Sequence, residues 1–209
     1  MVKEVWPWLT GGLVLTLAAS LAGWMLVAAA CLLLTLFVAS FFRDPGREIP
    51  SDPRLILSPA DGRVVAVSSL EPGAPPGGTV SIFLSVFNVH VNRAPVSGRV
   101  SDIRYTPGSF LPAFRDKASE LNEQNLIHLE TPHGPMAVKQ IAGLIARRIR
   151  CYKQPGDAVA QGEKIGFITF GSRVDLHLPP QASVRVSVGD RVRGGTSVVA
   201  VFAGDEARS

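Results

Sequence analysis

The chain opens on a stretch with no polar and apolar alternation. Trp6 to Phe42 reads WPWLTGGLVLTLAASLAGWMLVAAACLLLTLFVASFF, 37 residues without a charged side chain. One straight helix of that length would reach about 55 Å, against a bilayer hydrocarbon core of about 30 Å. Two passes of about 16–18 residues fit better, turning near Ala22 and Gly23. Lys3 flanks one end and Arg43 and Arg47 the other. Both basic flanks therefore fall on the same side, as in a hairpin whose ends are cytoplasmic. Trp6, Trp8, Phe41 and Phe42 are candidate interfacial anchors. A cleaved signal peptide fits poorly, because the apolar run is too long and no small-residue cleavage site follows it.

From Arg43 onward the texture changes. The segment FRDPGREIPSDPR carries turn signals at Pro45–Gly46, Pro50 and Pro53 and reads as a connector. Short β-branched runs follow, split by Gly and Pro and partly alternating with period two. They cover 63–67, 79–86, 89–96, 98–105, 125–130, 135–146, 166–170, 174–178, 183–188 and 197–202. One helix candidate lies around Phe114–Asn122. Two weak repeats stand out: P-x-x-G-R-V at Pro59–Val64 and Pro95–Val100, and G-D-x-V-x-x-G at Gly156–Gly162 and Gly189–Gly195. Both are turn-then-strand units, in which Gly supplies the left-handed positions and Asp bonds its own turn. The second resembles the hairpin units of biotinyl and lipoyl domains, but no modifiable Lys sits in a tight turn, so a swinging-arm carrier is not expected. The expected fold is mainly β, a compact sandwich or barrel of short strands with lipoyl-like hairpin units. An N-terminal hydrophobic helical hairpin precedes it. The expected division is an anchoring segment, 1–42, and a β domain, 43–209.

Composition sharpens this. Charged residues are 18% of the 209, below the ~25% of an ordinary soluble domain, and nearly all lie in 43–209. That part is long enough for a real core. A disordered chain, a coiled coil and a polytopic transporter are excluded. The net charge of +4 and isoelectric point near 9.4 suit an anionic membrane surface at least as well as nucleic acid. The basic run of Arg147, Arg148, Arg150 and Lys153 has no interleaved aromatics, so no nucleic-acid partner is expected. It reads equally as attraction to anionic headgroups or as a solvated edge strand. Cys31 and Cys151 make neither a disulfide framework nor a metal pattern, and favour a reducing compartment. The histidines lack metal-ligand spacing, and no metal site is expected.

Three segments could carry chemistry: Ser58–Gly62, Phe87–Pro95 and Phe170–Asp175. Taken singly, each has an ordinary structural reading. Asp61-Gly62 is a turn dipeptide. His90 lies in a strand-like run. Gly171-Ser172 has no G-x-S-x-G elbow around it. Taken together, FFRDP, SPADGRV, FNVHVNRAPVSG, KQIAGLIARRI and FGSRVDLHLP span residues 41–179 in order. In that order they resemble the phosphatidylserine decarboxylases, most closely their short bacterial and archaeal class.

The resemblance implies a proenzyme that cuts itself at Gly171–Ser172, giving a β chain of residues 1–171 and an α chain of residues 172–209. Ser172 becomes a pyruvoyl group, the covalent cofactor. The substrate amine joins it as a Schiff base, and phosphatidylserine loses CO2 to give phosphatidylethanolamine. Asp61 matches the family's self-cleavage Asp. Longer members carry two histidines three residues apart before a proline. Here His90 falls on the decarboxylation His and Arg93 stands in place of the other. Either His90 serves both steps or Asp61 works with a different partner. The uncharged run and its basic flanks point to a cell-membrane location with the catalytic domain on the cytoplasmic side and the lipid bilayer as partner, and the resemblance implies a heterodimer of the two self-cleaved chains, with further oligomerisation left open. Ser119–Asn125 resembles a family segment with an Asn-Glu pair and also reads as a polar loop. His177, in an alternating run, reads as strand-facing. Two other readings remain: a non-catalytic membrane-anchored lipoyl-like adaptor, and a pyruvoyl decarboxylase of a soluble amino acid, which the apolar N-terminus disfavours.

Overall fold

The computed structural model describes residues 1–68, 77–111, 118–143, 148–169 and 171–202. The chain divides into two compact units, Met1–Gly46 and Arg47–Ser209.

The first unit is a helical pair. A 3₁₀ turn, Lys3–Val5, leads into α1 (Trp6–Leu21), and α2 (Met25–Phe41) returns antiparallel to it. Gly23, at φ +77°, reverses the chain, and the Trp24 N–H donates to Ala19 O (2.9 Å). The helices pack closely where Gly12 faces Thr35, since a Cβ at Gly12 would collide with the threonine side chain. The turn falls where the sequence places it. Large apolar side chains including Trp8, Leu17, Leu26 and Leu33 remain exposed. An α1 of 16 residues rises about 24 Å. No described helix is long and apolar enough to cross a membrane.

The second unit is β. Its strands are β1 (Leu55–Leu57), β2 (Gly62–Ser68), β3 (Thr79–Leu84), β4 (Val91–Arg93), β5 (Gly98–Thr106), β6 (Gln124–Thr131) and β7 (Gly134–Ile141). Then follow β8 (Ile149–Cys151), β9 (Ala158–Val159), β10 (Lys164–Ile168), β11 (Ser172–His177), β12 (Ala182–Val184), β13 (Arg191–Val192) and β14 (Val198–Phe202). A short α3 (Ala118–Leu121) precedes β6. One eight-stranded sheet runs β13-β2-β3-β11-β7-β6-β5-β9 and curls into a half-barrel. Two three-stranded sheets, β1-β14-β12 and β4-β10-β8, complete the unit. Every pairing between these strands is antiparallel. Val64, Ile82, Leu129, Val138, Val174 and Leu176 are fully buried in one core.

The topology is a repeat inserted into itself. Strands β4 to β10, in chain order, have the same pairings as β1, β2, β3, β11, β12, β13 and β14. Among the described residues the one strand pairing between the two copies is that of β11 with β7, at the centre of the large sheet. Residue-level detail agrees. The pairs Gly62↔Val192 and Gly98↔Val159 correspond, and so do the β-bulges after Val64 and Val100. Both G-D-x-V-x-x-G units bond alike. The Asp157 carboxylate accepts from Gln154 N and that of Asp190 from Ser187 N, each at 2.8 Å. Their first glycines sit at φ +96° and +101°. The second copy fills a hairpin of the first: β6 and β7 join through Pro132 and His133, whereas between β3 and β11 the chain runs from 85 to 171.

The strand expectations hold, with shifted ends. The run 89–96 keeps only β4, because Ala94 N turns to Glu163 O and Pro95 has no N–H for a ladder. The run 183–188 stops at Val184, because the Ser187–Asp190 turn draws the chain out of the sheet. The helix candidate is helical at Ala118–Leu121, and its residues 114–117 lie outside the described residues, as do 144–146 of the expected strand, Phe170 and Arg147. Strands β1, β8, β9 and β13 have three residues at most and show no periodicity to read.

Equivalent turns should be worth equal amounts. Asp157→Ala and Asp190→Ala are each expected to cost about 1 kcal/mol in urea unfolding, the scale of one net hydrogen bond. A cost confined to one of them would show that the copies do not share the turn's energetics.

Candidate active site

The inserted copy leaves and re-enters the first copy at one place. The exit follows Leu84, and the return begins at Ser172, which pairs directly with Leu84 across the sheet. Ser172 is fully buried, and its Oγ has no hydrogen-bond partner among the described residues. Gly171, just before it, holds φ +62°, a left-handed conformation that side chains other than glycine rarely adopt. A Cβ there would meet nothing within 4 Å, so the demand for glycine is conformational, not one of space. A buried hydroxyl without an acceptor costs about 1–3 kcal/mol and asks for an explanation.

His90 lies at the same crossing. Its carbonyl accepts from Ile168 N (3.3 Å), four residues before Ser172. The segment 85–88 is a turn closed by Asn88 N to Ser85 O (2.9 Å), and the Asn88 carboxamide oxygen accepts from Ser85 N and Oγ (2.9 and 2.7 Å). The turn delivers His90, a fully buried residue, with Nδ1 3.0 Å from Asn88 O. A carbonyl only accepts, so Nδ1 carries the proton and the neutral ring's lone pair is on buried Nε2. The ring tilts against Phe167, centroids 6.4 Å apart.

Asp61 stands in the turn before β2. Its carboxylate takes both oxygens to Arg47 Nη2 (2.9 Å each), and Oδ1 also accepts from Gly194 N (2.8 Å). The pair is largely buried. Asp61 lines a cavity of about 580 Å³ together with Ser85 and Asn88, the turn that holds His90. Arg93 is buried, and its Nη1 donates to Gly162 O (2.9 Å) while its own N–H donates to Pro59 O (2.9 Å). It therefore ties two turns together.

Sequence reasoning missed what lies on the other side of β11. Arg173 and Asp175 alternate with Ser172 and point away from it, and both are buried. Arg173 Nε donates to Asp175 Oδ1 (2.6 Å) and Nη2 to Ser81 Oγ (2.7 Å), while Ser119 Oγ donates to Asp175 Oδ2 (2.7 Å). This ion pair pins the strand whose first residue is Ser172. The signal was present as charges at alternate positions in a strand otherwise apolar. A chain of buried amides, Asn125 to Gln140 to Asn92, does the same between β6, β7 and β4. The Ser119–Asn125 stretch is thus structural in large part, with Asn122 bonding Leu111 and Ala142. Of the basic run, Lys153 pairs with Glu163.

Comparison with known proteins decides the family. The phosphatidylserine decarboxylase family model matches residues 34–200. The chain is 47% identical over 206 residues to the phosphatidylserine decarboxylase proenzyme of Ralstonia nicotianae, covering 96% of this chain and 94% of the relative. It is 45% identical to that of Nitrosomonas eutropha, covering 97% and 95%, and 42% identical to that of Cupriavidus pinatubonensis, covering 96% and 94%. The chain belongs to the phosphatidylserine decarboxylase family. The matched region takes in β1 to β13 and spans the positions of Asp61, His90, Gly171 and Ser172.

His177 ends β11, five residues on from Ser172, which is about 17 Å along a strand. It is a strand residue, with Nδ1 3.0 Å from Thr79 Oγ1. Burial holds its imidazole below the ordinary value of 6.5, and Asp175 offsets this only in part. The unfolded ring binds its proton near 6.5 and the folded one lower. Stability from the neutral ring is therefore full above pH 6.5 and falls as pH drops below it. The urea midpoint should decline from pH 7 to 5, and His177→Gln should flatten that decline. An unchanged slope in the variant would place the acid sensitivity elsewhere.

Proposed function

We propose that this chain is a proenzyme that cuts itself between Gly171 and Ser172 and then decarboxylates phosphatidylserine to phosphatidylethanolamine. The observation that carries this reading is the Gly171–Ser172 junction. A left-handed glycine precedes a fully buried serine whose hydroxyl has no acceptor among the described residues. It lies where the inserted copy rejoins the first and where the backbone of His90 is held.

The chemistry needs these residue types. Ser172 Oγ attacks the Gly171 carbonyl carbon, and the acyl group passes from nitrogen to oxygen as an ester. Loss of a proton from the Ser172 Cα then expels the Gly171 carboxylate, which ends the 1–171 fragment. The dehydroalanine left on 172–209 takes up water and releases ammonia, leaving a pyruvoyl group. Threonine could attack but would not give that group, and cysteine would form a thioester. Neutral serine is a poor nucleophile and needs a base, a role we assign to the Nε2 lone pair of His90. Asp61, held by Arg47 and Gly194 N, lies on the wall of the cavity that Ser85 and Asn88 also line.

Ser172 is the one residue of the crossing that fits the pyruvoyl group, being the first residue of β11 with its hydroxyl buried. That group supplies a carbonyl able to draw off the electron pair left as CO2 departs. Protonated His90 is suited to return a proton to the substrate α-carbon. The exposed apolar helical pair supports insertion into a lipid bilayer, where the substrate is confined. On this reading the mature enzyme is a heterodimer of the two fragments on the cytoplasmic side of the cell membrane.

Ser172→Ala should remain one chain and show no decarboxylation. His90→Ala should lose at least about 100-fold in turnover, the scale of one general acid or base. A Ser172→Ala protein that decarboxylates would sink the assignment of Ser172. Normal cutting and turnover in His90→Ala would return His90 to a structural role.

A further inference from the structure

The cavity that Asp61 lines is also lined by Arg63, Arg191 and Arg193. Arg63 on β2 and Arg191 on β13 stand directly opposite each other across the strands. Like charges placed so are destabilising. Among the described residues no side-chain acceptor or acidic partner is found for any of the three guanidinium groups, and the one acid on the cavity wall, Asp61, is already taken up by Arg47.

The internal repeat supplies a control. At the positions equivalent to Arg191 and Arg193 the second copy has Ala158 and Ala160. Arg99, equivalent to Arg63, donates to the carbonyl of Gly156. Ser97, equivalent to Asp61, accepts from Gln161 N at 2.9 Å, just as Asp61 accepts from Gly194 N. A hydroxyl and two alanines are thus enough to build this turn and edge strand. The fold requires neither the two extra arginines nor the carboxylate. Protection of an edge strand does not explain them either, because β9 occupies the matching edge without them.

Three exposed arginines on the wall of one cavity suit a phosphate oxyanion, which accepts several guanidinium N–H groups at once. We propose that Arg63, Arg191 and Arg193 bind the phosphodiester of an anionic glycerophospholipid, with the cavity as the headgroup subsite. This rests on the function proposed above and names how its substrate is held. The phosphodiester is a better partner than the substrate carboxylate. A cation on the carboxylate stabilises a charge that vanishes as CO2 leaves, which raises the barrier. The phosphodiester charge is the same before, during and after the reaction, so binding it lowers KM and leaves kcat alone.

The test uses the full-length protein and monomeric dihexanoyl phosphatidylserine below its micelle concentration, which removes any bilayer surface. Arg191→Gln and Arg193→Gln are each expected to raise KM about tenfold, the scale of one charge-assisted hydrogen bond at a partly exposed site, with kcat within about twofold. Arg191→Lys should recover part of the loss. A second arm needs no turnover: calorimetry of glycerophosphoserine binding to uncut Ser172→Ala, with and without Arg193→Gln. Weaker binding in the double variant, by about tenfold, supports the site. Competition by inorganic phosphate that is weaker in the arginine variants assigns the contact to the phosphate. Unchanged KM and unchanged glycerophosphoserine affinity overturn the proposal. So does unchanged KM with weakened binding to phosphatidylglycerol vesicles, which would make the arginines a contact to the membrane surface. A wild type that never cuts or decarboxylates defeats the function proposed above, while the calorimetric arm still decides the subsite.

Discussion

One pairing organises the catalytic unit: Leu84 against Ser172. The chain departs from a seven-stranded repeat after the first and returns at the second, with a whole copy of that repeat between them. Because the two ends pair in the sheet, the departing and returning segments are held side by side. In the inserted copy the same hairpin closes with Pro132 and His133 alone. The opened hairpin is what gives the first copy room for a special site. It also explains why residues as distant in sequence as Asn88, His90 and Ser172 belong to one crossing.

The stability of the surrounding sheet permits the unfavourable features there. Gly171 sits in the left-handed region, and the Ser172 hydroxyl is buried without an acceptor among the described residues. Such features persist where neighbours over-determine them. Ser172 begins a strand fixed on both sides by β3 and β7, and its next alternate residues, Val174 and Leu176, are fully buried. On the opposite face the Arg173–Asp175 pair, braced by Ser81 and Ser119, resists any slip in register.

Much of this was legible in the sequence, for definite reasons. The helical pair could be read because 37 uncharged residues are too long for one pass and Gly23 lies in the middle. The β class could be read from period-two runs, and the turns from G-D-x-V-x-x-G. The two weak repeats were the visible part of the duplication, because turn residues with special backbone angles are constrained in identity while the strands between them are free to vary. The insertion was not legible, since it depends on which strands pair. Nor was the pairing of Asp61 with Arg47, because Arg47 reads as a membrane flank by position and its partner lies fourteen residues on. The arginine-lined cavity was hidden for the same reason: Arg63 and Arg191 are far apart in sequence and meet only through β2 and β13.

The central claim is that the Gly171–Ser172 junction is a self-cleaving bond, and intact mass under denaturing, reducing conditions tests it most directly. The account predicts two fragments, residues 1–171 and the 38 residues 172–209. The smaller should be blocked to amino-terminal sequencing and lighter by one ammonia than a serine-started peptide. A single 22.3 kDa chain in a preparation that actively decarboxylates phosphatidylserine would contradict it.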